Sequence, residues 1–327
     1  MNHPLNRRGA VQAVAAGLAA FCALPLRAQP DRTTRIVVPF PAGAGTDAVG
    51  RLMAQKLTEL LEHTVVVDNR AGASGAIGTQ FVAQSRADGH TLLLIAAPFT
   101  TVAAAMPGAG YDPVRHFAAV GMIANGPLVW AVNKDLPVRS LRELVALARQ
   151  KPGYLNYGSA GAGGINHLVL EMLKSRSQVH ITHIPYRGVA PATTDMIAGQ
   201  VHVVTGTVPA LAPFIGEGRV RALAVTSAQR SSALPEVPGM AEAGFPDFNV
   251  LNYFGLVAPS RTPATVVERL NAAVARAVAL PDVRERFARD AVEPATGSPA
   301  DLARFIEQDY LGWQRVVSAQ NLRIDVA

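Results

Sequence analysis

The chain has one cysteine in 327 residues, Cys22, and it lies in the N-terminal apolar stretch. Nothing beyond it can form a disulfide, a thiolate nucleophile or a cysteine-ligated metal site. Charge is sparse as well, at 17% of residues, and aromatics make up only 6%. No run of Lys and Arg is interleaved with aromatics, which argues against a nucleic-acid surface. No later segment is long and apolar enough for a membrane helix. His180 and His183 stand three apart on a strand-like run, so they point to opposite faces and cannot share a metal. The carboxylates are scattered and offer no acid/base pair. The expectation is therefore a chain without metal or cofactor, and not an enzyme.

Residues Met1 to Ala28 read as a cleavable export signal. Arg7 and Arg8 supply the positive start, Ala10 to Leu24 is apolar but short for a bilayer span, and Leu26-Arg27-Ala28 offers cleavage after Ala28. The Arg7-Arg8 pair leaves both the twin-arginine and the general secretory routes open. Three arginines and no acids lie in this segment, so the net charge of +6 falls to +3 beyond it. That mild excess helps attract a small anion. About 300 residues remain, enough for two α/β domains and for a core that needs no disulfides.

Glycine and proline are where the sequence becomes specific. Ile36-Val37-Val38 reads as a buried strand, Phe40 to Gly45 as a loop, and Thr46 or Asp47 as the cap of a helix. Val49, Leu52, Met53, Leu57, Leu60 and Leu61 recur along that helix at helical spacing. The first N–H groups of a helix lack internal partners and carry partial positive charge, so an anion is the natural guest. Asn156 to Leu168 repeats the arrangement: a short strand, Gly158-Ser159-Ala160-Gly161-Ala162-Gly163-Gly164, then a helix. Two such loops on separate α/β units suggest a ligand gripped from both sides.

Strand-like and helix-like runs alternate throughout, implying mostly parallel sheets flanked by helices. Ala119 to Ala124 and Leu128 to Val132 read as two strands. Ser140 with Glu143, and Ser298 with Asp301, have capping-box spacing, and Thr262 reads as the cap of a helix opening at Pro263. Two enzymatic readings compete. Gly43-Ala44-Gly45-Thr46-Asp47-Ala48 fits the dinucleotide pattern G-x-G-x-x-A, with Asp68 ending the next strand as a ribose-binding acid, which would make the chain an oxidoreductase. Tyr157-Gly158-Ser159-Ala160-Gly161 is one glycine short of a nucleophile elbow, so a hydrolase using Ser159 is the weaker form. His167 reads as a base or a structural histidine.

Taken together, several motifs carry a family resemblance. They are Val38-Pro39-Phe40 with Gly43-x-Gly45-Thr46-Asp47, Val67 to Gly75, Asp88 to Leu93, Tyr157 to Gly161, Pro185-Tyr186-Arg187-Gly188, Arg221 to Thr226 and Ala258-Pro259. In this order and spacing the chain resembles the Bug-type extracytoplasmic solute receptors, the binding-protein components of tripartite tricarboxylate transporters. The resemblance implies a two-domain type II periplasmic-binding-protein fold with a ligand cleft at the hinge. Its domains would be 29–127 with 252–327, and 128–251. It implies a periplasmic, monomeric receptor for a small organic carboxylate, partnered by a membrane permease and not by nucleic acid. The ligand would meet Phe40, Ala42, Gly43, Ala44 and Asp47 on one side and Ser159, Ala160, Gly161, Gly163 and Gly164 on the other. Thr100, Thr205 and Tyr253, with Phe99, would shape the rest of the pocket. The chain departs from the family pattern at Ala44, where glycine is usual, at His202 and Gly206, where acids are common, and at Tyr253, where tryptophan is common. Without an acid near Gly206, the expected ligand is a carboxylate lacking a nearby ammonium group.

Overall fold

Ile36, Val37 and Val38 are fully buried, and they are buried on two sides. Ile36 and Val38 pack with Val49, Met53 and Leu57 of the following helix, whereas Val37 joins the core on the opposite face. Leu92 to Ala96 divides in the same alternating way. A strand with no polar face must sit inside a layered sheet, covered above and below.

The computed structural model describes residues 33–43, 45–106, 108–319 and 322, so the export segment and Ala44 lie outside the described residues. In chain order the first part comprises β1 (Thr34–Val38), α1 (Gly45–Leu61), β2 (Val65–Asn69), a 3₁₀ turn (Ala73–Gly75), α2 (Ala76–Ala83), β3 (Thr91–Ala96), α3 (Pro98–Ala105) and β4 (Phe117–Asn133). Next come α4 (Leu141–Gln150), β5 (Asn156–Ser159), α5 (Ile165–Ser177), β6 (Thr182–Pro185), α6 (Val189–Ile197), β7 (Val203–Thr207), α7 (Val208–Gly216) and β8 (Val220–Val225). The chain finishes with β9 (Leu251–Pro259), α8 (Ala264–Ala279), α9 (Pro281–Arg289), β10 (Glu293–Pro294) and α10 (Pro299–Ala319).

The strands form one sheet in the order β2-β1-β3-β9-β4-β7-β5-β6, with β8 and β10 also paired to β4. The α/β expectation holds, but the sheet is mixed rather than mostly parallel. β1 pairs in parallel with β2 and β3, and β5 with β6 and β7. β9 pairs antiparallel with both β3 and β4, and β4 antiparallel with β7 and β8. β9 enters from the return segment after β8 and not from a helical crossover, so nothing forces the parallel sense on it.

The two strands read at 119–124 and 128–132 are one strand, β4. Its residues up to Pro127 pair with β9, and from Leu128 onward they pair with β7 and β8. Proline has no N–H to give a ladder, and it stands where the ladder changes partners. Gly126 is required there too, because a Cβ at that position would lie 2.8 Å from the Ala291 carbonyl. Both caps are present, but only the second closes as a box: Glu143 N–H donates to Ser140 Oγ while the Glu143 carboxylate accepts from the Arg139 N–H, whereas Asp301 N–H donates to Ser298 Oγ and the Ser298 N–H donates back to Asp301. Thr262 is not a cap; its hydroxyl donates to the Pro259 carbonyl, and Pro263 takes the cap position.

Candidate ligand-binding site

The parallel strands on either side of β4 and β9 end in the loops that matter: after β1, β2 and β3, and after β5, β6 and β7. Ligands of α/β sheets lie beyond such carboxyl ends. Two loops from the two sides meet. A Cβ built on Gly161 would lie 3.9 Å from Ser74 Oγ and 3.8 Å from the Tyr186 carbonyl. Those are ordinary contact distances, so it is the φ of 133° at Gly161 that makes glycine the permitted residue there. Opposite it, Ala73 (φ 46°) and Ser74 (φ 53°) hold the left-handed conformation without being glycine. Such backbone strain persists where surrounding structure imposes it, and functional sites are its usual place.

The first loop is organised around Asp47. Its buried carboxylate accepts from the Gly43 N–H at 2.9 Å, from Arg51 Nε at 2.8 Å and from Asn69 Nδ2 at 2.9 Å. Asn69 Nδ2 also donates to the Phe40 carbonyl. Burial works against the charged carboxylate, but the bonds from Arg51, Gly43 and Asn69 outweigh it and hold the pKa below the usual value. The helix start thus carries an anion of its own, and Gly43, expected as a ligand amide, gives its N–H to that anion. Beside the loop lies a cavity of about 260 Å³, bounded by Gly43 and Gly45, by Gly126 and Asn252 of the crossing strands, and by Thr207 and Val208 at the start of α7. Phe40 instead lines, with Ser74, Gly75, Phe99 and Tyr111, a space of about 10 Å³.

The second loop is fixed from below. Ser159 Oγ is 2.6 Å from His183 Nε2 and accepts from the Gly161 N–H. The Gly163 N–H donates to His167 Nδ1 at 3.1 Å. The two imidazoles stack with centroids 3.9 Å apart and planes 12° apart. Ala160, Gly161 and Gly164 are half-buried, while Ser159 and Gly163 are buried. His167 and His183 escaped the sequence reading as a pair because their spacing matches no metal or catalytic pattern; only pairing β5 with β6 brings them together.

Thr100 and Tyr253 have partners of their own. Thr100 Oγ1 donates to Asp309 Oδ2 at 2.6 Å and lies 3.0 Å from Tyr253 Oη, and Trp313 Nε1 donates to the other oxygen of Asp309. Both side chains are buried against α10, with Tyr253 edge-on to Phe305. Thr205 is buried with no partner for its hydroxyl, and neither has Nε1 of Trp130, its partner across β4 and β7. The turn Ala73–Gly75 was missed as a contact, although Gly72-x-x-Gly75 directly after a strand was a signal for a tight turn.

These arrangements bear on the two enzymatic readings. Asp68, the supposed ribose-binding acid, accepts from both Arg35 and Arg70. Asp47 already supplies the negative charge at the Gly43 helix start, where a pyrophosphate would have to sit. Ser159 has its histidine, but that imidazole is pushed down to about 4 by burial and by His167 and Lys174, which makes it a weak base at neutral pH. Among the described residues no group of His, Cys, Asp and Glu could hold a metal ion.

The chain is similar to known proteins over most of its length. The family described as "Tripartite tricarboxylate transporter family receptor" matches residues 49–322. A protein encoded between tcbD and tcbE in Pseudomonas sp. strain P51 is 41% identical over 89% of this chain and 87% of its own length. BugT of Bordetella pertussis is 36% identical over 88% and 89%. Among solved structures, an adipate-bound protein of R. palustris superposes with a TM-score of 0.81 at 36% identity, covering 90% of this chain and 99% of that one. Malate-bound MatC from Rhodopseudomonas palustris gives 0.79 at 31%, covering 88% and 99%. The family so described is one of receptors, and the dinucleotide alternative is not supported.

Proposed function

Since this chain belongs to the tripartite tricarboxylate transporter receptor family, we propose that it is exported by a cleaved signal and captures a small organic carboxylate between two lobes for a membrane permease. It acts as a monomer and catalyses no reaction. The lobes are 29–127 with 252–327, and 128–251. The observation that carries this reading is the meeting of the turn after β2, at Ser74, with the second glycine loop, at Gly161. Each loop leads from the end of a parallel strand into a helix, so a carboxylate between them is offered backbone amides from both sides. Amides bind such an anion without a buried lysine, whose desolvation would be costly.

Ligand contacts are assigned to Phe40 and Ala42, with Ala44, on the first side, and to Ser159, Ala160, Gly161, Gly163 and Gly164 on the other, where the N–H groups of Gly161 and Gly163 are held within the loop. Gly43 and Asp47 shape the first loop. Thr205 and Tyr253 define the depth of the site from behind, with Thr100 holding Tyr253. The related receptors were solved with adipate and malate, both dicarboxylates, and the same class is the ligand here.

A thermal-shift panel of dicarboxylates, citrate, aspartate, glutamate and NAD tests the reading. A ligand at about a hundred times its Kd adds roughly 2.7 kcal/mol of stability, worth a few degrees in a chain of this size. Adipate or malate should raise the midpoint. A response to NAD alone would overturn the receptor, and a preference for aspartate or glutamate would overturn the exclusion of an ammonium-bearing ligand.

A further inference from the structure

The second glycine loop rests on a polar cluster that ligand contact alone does not account for. Tyr157 of β5, His183 of β6 and His167 of α5 lie face to face: His183 is 4.8 Å from the Tyr157 ring and 3.9 Å from the His167 ring. Glu171 on α5 closes the cluster, accepting from Tyr157 Oη and from Lys174 Nζ, each at 2.6 Å. Its Oε1 is 3.9 Å from His167 Nε2. These side chains form a compact block directly beneath residues 159–164.

The hydrogen bonds fix which nitrogen of His167 carries the proton. The Gly163 N–H donates into His167 Nδ1, so that nitrogen must be bare and the proton resides on Nε2, toward Glu171. The Gly161 N–H donates to Ser159 Oγ, which also bonds His183 Nε2 at 2.6 Å and lies 3.1 Å from the Gly161 carbonyl, so this oxygen can serve either tautomer of His183. Two amides of the loop are therefore held through two neutral imidazoles. We propose that His167 and His183 are positioning residues that hold the second glycine loop in the shape that receives the ligand. This rests on the reading that residues 159–164 contact the carboxylate.

The two histidines are not equivalent. If His183 is protonated, its Nε2–H donates to Ser159 Oγ and the hydroxyl is accommodated by the Gly161 carbonyl 3.1 Å away. If His167 gains one on Nδ1, two N–H donors face each other and the Gly163 bond is lost. His167 is thus the sensitive member. Burial, with Lys174 adding to it, pushes its pKa down to about 4. Tyr157, His183, Glu171 and Lys174 are the titratable groups facing it. The lock is accordingly closed at neutral pH and opens on acidification toward pH 4.

The experiment follows the Gly163 amide and the His167 ring nitrogens by NMR from pH 7.5 to 3.5, with amides of α8 reporting on global unfolding. Adipate and malate affinities are measured alongside. The two signals should titrate together while α8 stays protected, and Kd should rise about tenfold per pH unit below their midpoint. His167→Leu, which removes the acceptor, should displace the Gly163 signal and weaken binding at least tenfold at pH 7.5. His167→Asn, which restores an acceptor that does not titrate, should recover most of the affinity and abolish the pH step. A Gly163 signal indifferent to both pH and His167→Leu, with carboxylate still bound, overturns the proposal and leaves the receptor intact. Coupled titration with neither acid bound at any pH overturns the receptor reading and shows the histidines to be a structural lock alone.

Discussion

Asp47 and Asp309 show opposite uses of a carboxylate. Asp47 is outweighed toward the charged form by its donors, so its stabilisation is present above the unfolded value near 3.9 and is lost only as pH falls below it. Asp47→Ala should cost about 1–2 kcal/mol in urea unfolding at pH 7, as expected for the loss of charge-assisted bonds at a helix start. Its larger effect should be on ligand affinity, because Gly43 and Asn69 lose their common anchor. Asp309 is the reverse: burial raises it to about 6, against lowering bonds from Thr100, Trp313 and Tyr253. A raised acid contributes fully below the unfolded value near 3.9, and that contribution is lost as pH rises through about 6. Asp309→Asn should therefore stabilise the protein by on the order of 1 kcal/mol at pH 7.5 and by nothing at pH 4. Urea midpoints at the two pH values decide it. The partner that Thr100 and Tyr253 share lies on the last helix, out of reach of any local pattern, so their engagement with Asp309 is not legible in the sequence.

Among the elements, what the sequence made legible was what its neighbours settle. Ser140 with Glu143 and Ser298 with Asp301 are three residues apart, and the bond from the third residue's N–H to the serine hydroxyl forms wherever the helix forms. Both glycine loops were visible because strand, glycine and amphipathic helix follow one another directly. The continuity of β4 was not visible, since Gly126 and Pro127 look like a break until β9 and β7 are in place to share the strand. At Ala73–Gly75 the flanking glycines signal a turn, but its left-handed residues are hidden, because alanine and serine do not advertise that backbone. That strain makes a prediction. Glycine normally lowers stability by about 0.5–1 kcal/mol relative to alanine. At Ala73, with φ of 46°, relief of the strain should offset that cost, and Ala73→Gly should leave the urea midpoint unchanged or higher.

Across the whole molecule, the proposed lobes are joined where β4 leaves β9 and where the chain returns at Val250 and Leu251. One buried side chain ties these passages together. Thr226 Oγ1 accepts from the Leu128 N–H at 2.8 Å and donates to the Val250 carbonyl at 2.6 Å. Its own N–H donates to the Leu128 carbonyl, and its carbonyl accepts from the Val250 N–H. The outgoing and returning strands thus meet on a single threonine, and a rotation of one lobe against the other must pass through those bonds. Thr226→Val keeps the shape but leaves the buried Leu128 N–H without an acceptor, a loss of about 1–3 kcal/mol. Thr226→Ser keeps the hydroxyl and should behave much like the parent. If Thr226 holds the two passages in register, the valine variant should also show a larger radius of gyration in solution without ligand, and added carboxylate should bring it back toward the parent value. A valine variant that loses stability but keeps the parent radius would mean that Thr226 braces the fold without guiding its closure.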